Sequence, residues 1–374
     1  MRKKTLALAI AAAFSGAAFA QQSNVTIYGL IDMGFSHRGN NINAHTGSQN
    51  SIDSGVTAGN RLGFKGSEDL GNGLKAIWQL EAGFNADTGV SQQNGRLFGR
   101  HASLGLSGAF GTVQAGRFYT PRYILISDID PFKAGTVGRY TDVFKYGQSD
   151  VTRVDNAIAY VSPSFSGFNV TAAYSTNTNY SAATGGQETL GNETDVRAIA
   201  LMPRYTNGPL DVGFSWQDLK AKNVNTANID KSDATYKQWT LGASYDFGMV
   251  KLAAVYDNYK ADSGKAADEK EKLKSWLLGA TVPFGKNAVQ IAYHQSKLDD
   301  KTDKSAGKSK KWALGYTYEL SKRTSFYAAY AKTTNDNAKN AHADKVQRKS
   351  YVDDSSNSYA GYQSGFQFGL KHKF

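Results

Sequence analysis

The chain has 374 residues, 43 Lys and Arg against 32 Asp and Glu, a formal charge of +11, and no cysteine. Without cysteine there is no disulfide framework and no thiolate metal site. None of the six scattered histidines (His37, His45, His101, His294, His342, His372) forms a His-Glu-x-x-His zinc pattern, so cofactor and metal-ligand signals are absent from the sequence.

At the start, Arg2, Lys3 and Lys4 precede the apolar run Leu6–Ala13, and Ala18-Phe19-Ala20 supplies a small-x-small cleavage site. This reads as a secretory signal peptide over residues 1–20, too short and wrongly flanked for a spanning helix, with the mature chain expected to begin at Gln21. Its removal takes away three positive charges, leaving 40 Lys and Arg against 32 acids, or +8. An exported chain with so dispersed a basic excess, and no compact basic motif, is a poor nucleic-acid binder. Anionic solutes and lipid phosphates suit it better.

Beyond the signal, no stretch reaches the ~18 uninterrupted apolar residues of a membrane-spanning helix. Instead, alternating segments of about ten residues recur, the length a tilted strand needs to cross a bilayer. In chain order they are Asn24–His37, Gly59–Asp69, Gly73–Ala86, Arg96–Gly108, Gly111–Phe118, Thr152–Ser162, Gly167–Asn177 and Thr194–Thr206. The second half adds Pro209–Leu219, Tyr236–Phe247, Val250–Lys260, Lys272–Phe284, Asn287–Leu298, Ser309–Leu320, Thr324–Thr334 and Gly361–Phe374, for sixteen predicted strands in one domain, 21–374. The 21 Tyr, 19 Phe and 5 Trp sit in a chain of mean hydropathy −0.47, as expected of a barrel with an apolar outer band and a wet lumen.

The connections alternate too. Leu70-Gly71-Asn72, Asn207-Gly208, Gly248-Met249, Gly285-Lys286 and Ser321-Lys322-Arg323 are tight turns, with Gly and Asn supplying positive φ. Long polar stretches such as Arg38–Ala58, Thr178–Glu193 and Asn335–Ala360 join the other strand pairs. That asymmetry is expected of outer-membrane barrels with short periplasmic turns and long extracellular loops. A compact soluble β-domain would not carry so many long loops. Lys301, Lys304, Lys308, Lys310 and Lys311 read as a solvated loop, or as contacts for lipid phosphate near the rim. The third long connection, between Phe118 and Thr152, carries Ile124, Leu125, Ile126, Ile129 and Phe132 with Pro121 and Pro131. So many apolar side chains predict that it folds back into the barrel and narrows the lumen.

The last strand alternates strictly: Phe366, Phe368, Leu370 and Phe374 share one face, and Gln363, Gln367, Lys371 and Lys373 the other. As the sixteenth strand it is expected to pair with the first and close the cylinder.

Several segments in order, Val25–Gly34 (VTIYGLIDMG), Asn60–Phe84 (NRLGFKGSEDLGNGLKAIWQLEAGF), Arg100–Gly116 (RHASLGLSGAFGTVQAG), Arg153–Tyr160 (RVDNAIAY) and the terminal Phe, resemble the general diffusion porins of Gram-negative bacteria, most closely those of the β-proteobacterial lineage. The resemblance runs from the signal peptide to Phe374 and is densest in the first 170 residues. It implies an all-β, 16-stranded antiparallel barrel in the outer membrane, assembled as a homotrimer among outer-membrane lipid including lipopolysaccharide. The third loop would lie in each pore, and the C-terminal strand, with Phe374, would be the signal read by the barrel-assembly machinery.

The resemblance also implies a constriction in which wall arginines face loop acids. The wall arginines map to Arg61, Arg100 and Arg153, the wall acid to Glu81, and the loop acids to Asp128 and Asp130, where the family often has Pro-Glu-Phe and this chain has Asp130-Pro131-Phe132. Alternation puts Arg61 and Glu81 in the lumen, and Arg153 with Asp155 opposite an outward Val154. Arg100 shares parity with the outward Ala102, Leu104 and Leu106, so either a bulge re-aims it or the role does not transfer. Arg117 falls on the outward parity of Val113 and Ala115, where a charge facing lipid is costly. A subunit interface is its expected place, with Ala76, Ala82, Ala102 and Ala115 packing near it.

The expected function is passive diffusion of ions and small hydrophilic solutes, with mild anion preference from the wall arginines. Two other readings stay open: a substrate-specific channel, for which the inward Tyr28, Tyr327 and His294 are few, and an adhesin or structural barrel. An enzyme is not expected: Gly71-x-Gly73-x-x-Ala76 is followed by alternation rather than by the helix a dinucleotide fingerprint needs.

Overall fold

The computed structural model describes residues 24–41, 48–144, 151–178, 196–226, 229–262, 270–300, 307–336 and 362–374. The expected signal peptide with its cleavage point, the greater part of several long connections, and Lys301 and Lys304 lie outside these residues.

A strand forms within each of the sixteen alternating segments, but residues 96–100 of the fourth stay outside β5. The strands are β1 (Asn24–Asn41), β2 (Gln49–Ser54), β3 (Arg61–Gly71), β4 (Leu74–Gly83), β5 (His101–Gly108), β6 (Gly111–Tyr119), β7 (Arg153–Val161), β8 (Phe168–Ser175) and β9 (Val196–Asn207). They continue as β10 (Leu210–Thr226), β11 (Ile229–Asp246), β12 (Lys251–Asp262), β13 (Lys270–Phe284), β14 (Asn287–Asp300), β15 (Gly307–Glu319), β16 (Thr324–Asp336) and β17 (Tyr362–Lys373). From β3 onward each pairs antiparallel with the next, and β17 returns to β1 in a register running from Leu30↔Lys373 to Asn41↔Tyr362. Phe374 and Gly29 exchange backbone hydrogen bonds at 3.0 and 3.1 Å, which completes the closure. With no free edge, every strand's backbone groups find partners within the wall.

The unforeseen strand is β2. It pairs with the upper half of β1 (Met33↔Ser54 to Arg38↔Gln49) while β3 pairs with the lower half (Asn24↔Ser67 to Leu30↔Arg61). The two therefore share one position in a sixteen-position barrel. The sequence reading placed this segment in a polar loop because six residues of β2 are too few to show periodicity against the surrounding Ser and Asn.

The outer surface shows the apolar band expected of a lipid-facing wall. Leu104, Leu252, Leu278, Ile291 and Leu314 are exposed. Tyr205, Tyr245, Phe247, Phe284, Phe326 and Phe374 form an aromatic belt near the short turns. A second belt on the far side consists of the tilted cross-strand pairs Trp239–Tyr256, Trp276–Tyr293 and Trp312–Tyr330, with ring centroids 5.2–5.3 Å apart. Aromatic rings favour the two membrane–water boundaries because one end is apolar and the other polar.

The third connection leaves β6 at Tyr119. Thr120 caps helix α1 (Pro121–Ile129), its hydroxyl accepting from the Tyr123 N–H, and Pro121 takes the first helical position, where its missing N–H costs nothing. Leu125, Ile126 and Ile129, with Val143 and Phe144 of the short helix α2 (Thr141–Phe144), bury against Met202, Ala253, Val255 and Leu277 of the inner wall. Wall glycines make room for it. A Cβ on Gly213, Gly242, Gly279 or Gly315 would come within 2.4–2.8 Å of Leu125, Ile129, Pro131 and Phe132 in turn. These glycines belong to β10, β11, β13 and β15, so the connection travels around the wall along a track cleared of side chains.

Candidate functional site

The opposite wall, β3 to β7, carries a row of charge where its strands meet the long connections. Arg61 opens β3, Glu81 lies near the end of β4, Arg100 immediately precedes β5, Tyr119 ends β6 and Arg153 opens β7. The ladder aligns them: Arg61 pairs with Gly83, Glu81 with His101, and Tyr119 with Arg153.

Their side chains converge. The Arg100 Nε donates to Glu81 Oε1 at 2.7 Å, and Arg61 Nη1 lies 4.0 Å from the same oxygen. Tyr28 of β1 donates its hydroxyl proton to Glu81 Oε2 at 2.8 Å and accepts from Gln79. Arg100 Nη2 and Arg153 Nη2 both donate to the Tyr119 hydroxyl, at 2.7 and 2.5 Å, and the Arg153 guanidinium stands 4.2 Å from the centre of the Tyr119 ring. Arg153 Nε also donates to the Arg100 carbonyl. Among the described residues, Arg61 and Arg100 thus meet on the Glu81 carboxylate, and Arg100 and Arg153 on the Tyr119 phenol.

Arg100 reaches this cluster because it sits outside the strand. Alternation begins at His101, so the parity that put Arg100 with Ala102 and Leu104 does not bind it. Arg153 is where it was expected, but its neighbour is not. A left-handed Asn156 (φ 50°) and a register shift between Gly116 and Phe118 insert a bulge, so that Val154 joins Phe118, Ala157 and Ala159 in a buried inner cluster. Asp155 is turned to the other face, where it accepts from Arg96 at 2.9 Å and from Arg117 at 2.7 Å. Lumen parity for Asp155 is thereby corrected. Arg117 finds its acid within its own chain.

On the third connection the two expected acids part company. Asp128 is exposed and accepts from Arg204 of β9 at 2.6 Å, and Arg204 is also held bidentate by Asp211. Asp130 is 1 % exposed, and its two oxygens accept the Phe132 and Ala134 N–H groups of its own turn. Burial pushes its carboxyl up to about 6. Asp130 therefore shapes the turn, and its side chain is closed off from the lumen. Between the two walls lies a cavity of about 330 Å³ lined by His101, Gln114, Tyr119, Ile124 and Arg204 among others.

Several charged groups escaped the sequence reading. Arg204 shares parity with Met202 and Thr206, a signal present on β9. Arg122 of α1 donates to Asp257 of β12 at 3.0 Å, both fully buried, and Asp257 also accepts from Gln238 and Thr240. Lys311, read as a rim lysine, is buried on the lumen side, where it donates to the Arg139 carbonyl at 2.9 Å and to Asp142 at 2.6 Å. Among the described residues no cluster of three or more His, Cys, Asp or Glu side chains is placed to hold a metal.

Comparison with known proteins places this architecture. A sequence-family model described as Gram-negative porin matches residues 7–338. The chain is 36 % identical to an outer membrane porin protein of Bordetella pertussis, over 89 % of this chain and 94 % of that one. It is 32 % identical to outer membrane porin protein 32 of Delftia acidovorans over the full length of both. Among solved structures, the anion-selective porin from Comamonas acidovorans superposes with a TM-score of 0.76 at 29 % identity, covering 94 % of this chain and 100 % of that one.

Proposed function

The chain belongs to the Gram-negative porin family, and from that premise we propose that Arg61, Arg100 and Arg153, gathered on Glu81 and Tyr119, form the basic side of a constriction that favours anions. The barrel is an outer-membrane diffusion channel for ions and small hydrophilic solutes. Its relatives are porins, channels rather than enzymes, and transport is the reading proposed for this chain.

The observation that carries the anion preference is the unequal pairing of charge. On the wall, Arg61 and Arg100 meet the Glu81 carboxylate, while Arg153 joins Arg100 on the Tyr119 hydroxyl. Facing them, Asp128 is already engaged by Arg204, and Asp130 is enclosed in its own turn. The transverse field therefore runs from this arginine-bearing wall toward acids that are already paired or enclosed. Low-dielectric walls concentrate such a field and raise the local concentration of the opposite ion. The solved anion-selective relative supports the same direction. Planar-bilayer recording under a salt gradient tests it: the expected reversal potential has the sign of anion preference, and cation preference refutes it.

The remaining assignments extend this reading. A homotrimer suits the small outward residues Ala76, Ala82, Ala102 and Ala115, with the Arg96–Asp155–Arg117 cluster close to them. Lipopolysaccharide and the assembly machinery are the partners of the outer band and of the closing strand, and residues 1–20 act as the export signal. Because Phe374 closes the wall on Gly29, its deletion is expected to lower the yield of heat-resistant barrels in outer membranes far more than it alters the conductance of those that assemble.

A further inference from the structure

We infer that the break between β2 and β3, residues 55–60, is a clamp that fixes the far end of the third connection, and that Asp32 is the positioning residue that holds the clamp in shape. This rests on the channel reading above and adds to it a determinant of pore width on the side away from the glycine track.

At the break the chain leaves the sheet while β1 continues past it. Both ends are tied to one residue. The Gly55 N–H donates to the Asp32 carbonyl at 2.7 Å, and the Asp32 N–H donates to Asn60 Oδ1 at 2.6 Å. The middle is tied to the same side chain: Asp32 Oδ2 accepts from Thr57 N–H, the Thr57 hydroxyl and Ala58 N–H at 2.6–2.9 Å. Asp32 Oδ1 accepts the Tyr327 hydroxyl of β16 at 2.6 Å. Asp32 is 0 % exposed. A buried carboxylate whose oxygens are taken up by fixed donors organises backbone, because an ionised acid accepts up to about four hydrogen bonds and donates none.

The outer side of the break meets the third connection. Thr136 N–H donates to the Val56 carbonyl at 2.6 Å. Gly135 lies so close that a Cβ there would stand 2.1 Å from the Thr57 carbonyl oxygen. The next residue is held by the closing strand: Val137 N–H donates to Gln367 Oε1 at 2.7 Å, and Gln367 Nε2 donates to the Ser36 hydroxyl at 2.9 Å. The apolar track carries the connection as far as Phe132 on β15. Val137 still packs with Phe132 against Ala329 and Ala331 of β16, and between them Gly135 and Thr136 meet the break, which supplies a carbonyl that an unbroken strand would have committed to the ladder.

The test compares the wild-type trimer with Asp32→Asn and Gln367→Leu in planar lipid. Asn can keep only its carbonyl oxygen toward Thr57 and Ala58, with its amide nitrogen turned to the Tyr327 hydroxyl, and it lacks the charge that strengthens all these bonds, so the clamp weakens while the barrel retains its strands. Both variants should give a larger mean conductance and about a twofold rise in open-channel noise, with heat resistance of the trimer unchanged, because local release of a segment leaves global stability intact. Wild-type conductance and noise in either folded variant would overturn the inference. If Asp32→Asn does not assemble, Gln367→Leu decides. Amide exchange on the unaltered protein decides independently of any variant: Thr136 and Val137 should exchange slowly, and rapid exchange would also overturn it. A wild-type protein that conducts no ions would instead defeat the channel reading, and slow exchange at those two amides could still be measured.

Discussion

The two walls of this barrel do different things with similar strands. The wall from β9 to β15 is covered on its inner face by the third connection, and its lumen positions are given to glycine, alanine and aliphatic side chains that receive Leu125, Ile129, Pro131 and Phe132. The wall from β3 to β7 presents Arg61, Arg100, Arg153 and Glu81. One side is covered, by apolar packing together with the buried Arg122–Asp257 and Lys311–Asp142 pairs, and the other is bare and charged, and the covered wall determines how far the bare wall lies from anything opposite it. In a water-filled lumen only a supported segment can narrow a pore reproducibly, because an unsupported loop samples many positions.

The largest effect that would break this contrast is expected from the Arg122–Asp257 pair of the covered wall, both members of which are fully buried. Asp257→Ala leaves Arg122 enclosed without its carboxylate, a loss of about 3–5 kcal/mol for a pair of this kind. Urea unfolding from lipid vesicles should show it, and an unchanged midpoint would mean that α1 is held by its apolar contacts alone. Next comes the turn after α1. The Asp130 carboxyl is raised by burial to about 6 from an ordinary 3.8, so the folded state keeps a proton that the unfolded chain has released. Its contribution to stability is therefore present below about pH 4 and lost as pH rises through 6, by roughly 3 kcal/mol. Asp142 does not obscure that window. Burial pushes it up, but Arg139 and Lys311 outweigh burial and hold it below the usual carboxylate range, so it acts only at lower pH. Between pH 4 and 7 the wild type should lose roughly 3 kcal/mol more stability than Asp130→Asn.

A smaller change should sharpen the contrast. Gly242→Val places side-chain atoms where Ile129 already lies, costing about 1–3 kcal/mol, and by lifting the connection off the wall it should reduce single-channel conductance. The same substitution at an outward position of β11 should leave conductance alone. Smallest in energy is Arg61→Ala on the bare wall, the most exposed of the three guanidinium groups. Removing one charge at about 4 Å in water amounts to roughly 1 kcal/mol. Reversal potentials should move toward zero by the equivalent of a few-fold change in permeability ratio, with no loss of thermal stability.

The sixteen spanning strands were legible because period-two alternation is local and the short turns carry their own chemistry: Gly71, Gly208, Gly248 and Gly285 all have the positive φ those turns need. The inward third connection was legible from its aliphatics, which had no reason to be in water. Its partners on the wall were not, because a glycine that makes room for a leucine 88 residues away, as Gly213 does for Leu125, looks like any other strand glycine. The site itself was legible in part. Arg61 and Glu81 obey parity, whereas Asp155 was misplaced because the bulge at Asn156 shifts the count by one without altering composition. Asp130 read as a pore acid because a carboxylate before proline resembles a loop tip; its capture by the Phe132 and Ala134 N–H groups depends on a backbone turn that residue types alone do not reveal. The break after β2 was invisible for a related reason. Its meaning lies in Asp32, whose partners Thr57, Ala58 and Tyr327 come from two distant parts of the chain.

The two aromatic belts also fix a length. On β11, Trp239 and Tyr245 are six residues apart, and Trp276 and Phe284 on β13 are eight apart. At about 3.4 Å per residue and a tilt near 40°, the apolar zone between them measures roughly 15–20 Å along the membrane normal. A typical bilayer has a hydrocarbon core of about 30 Å, and the bacterial outer membrane is thinner than average. The spacing of a few tryptophans and tyrosines thus disfavours the thicker inner membrane through mismatch, so the barrel carries in its girth of rings a physical preference for the membrane in which it works.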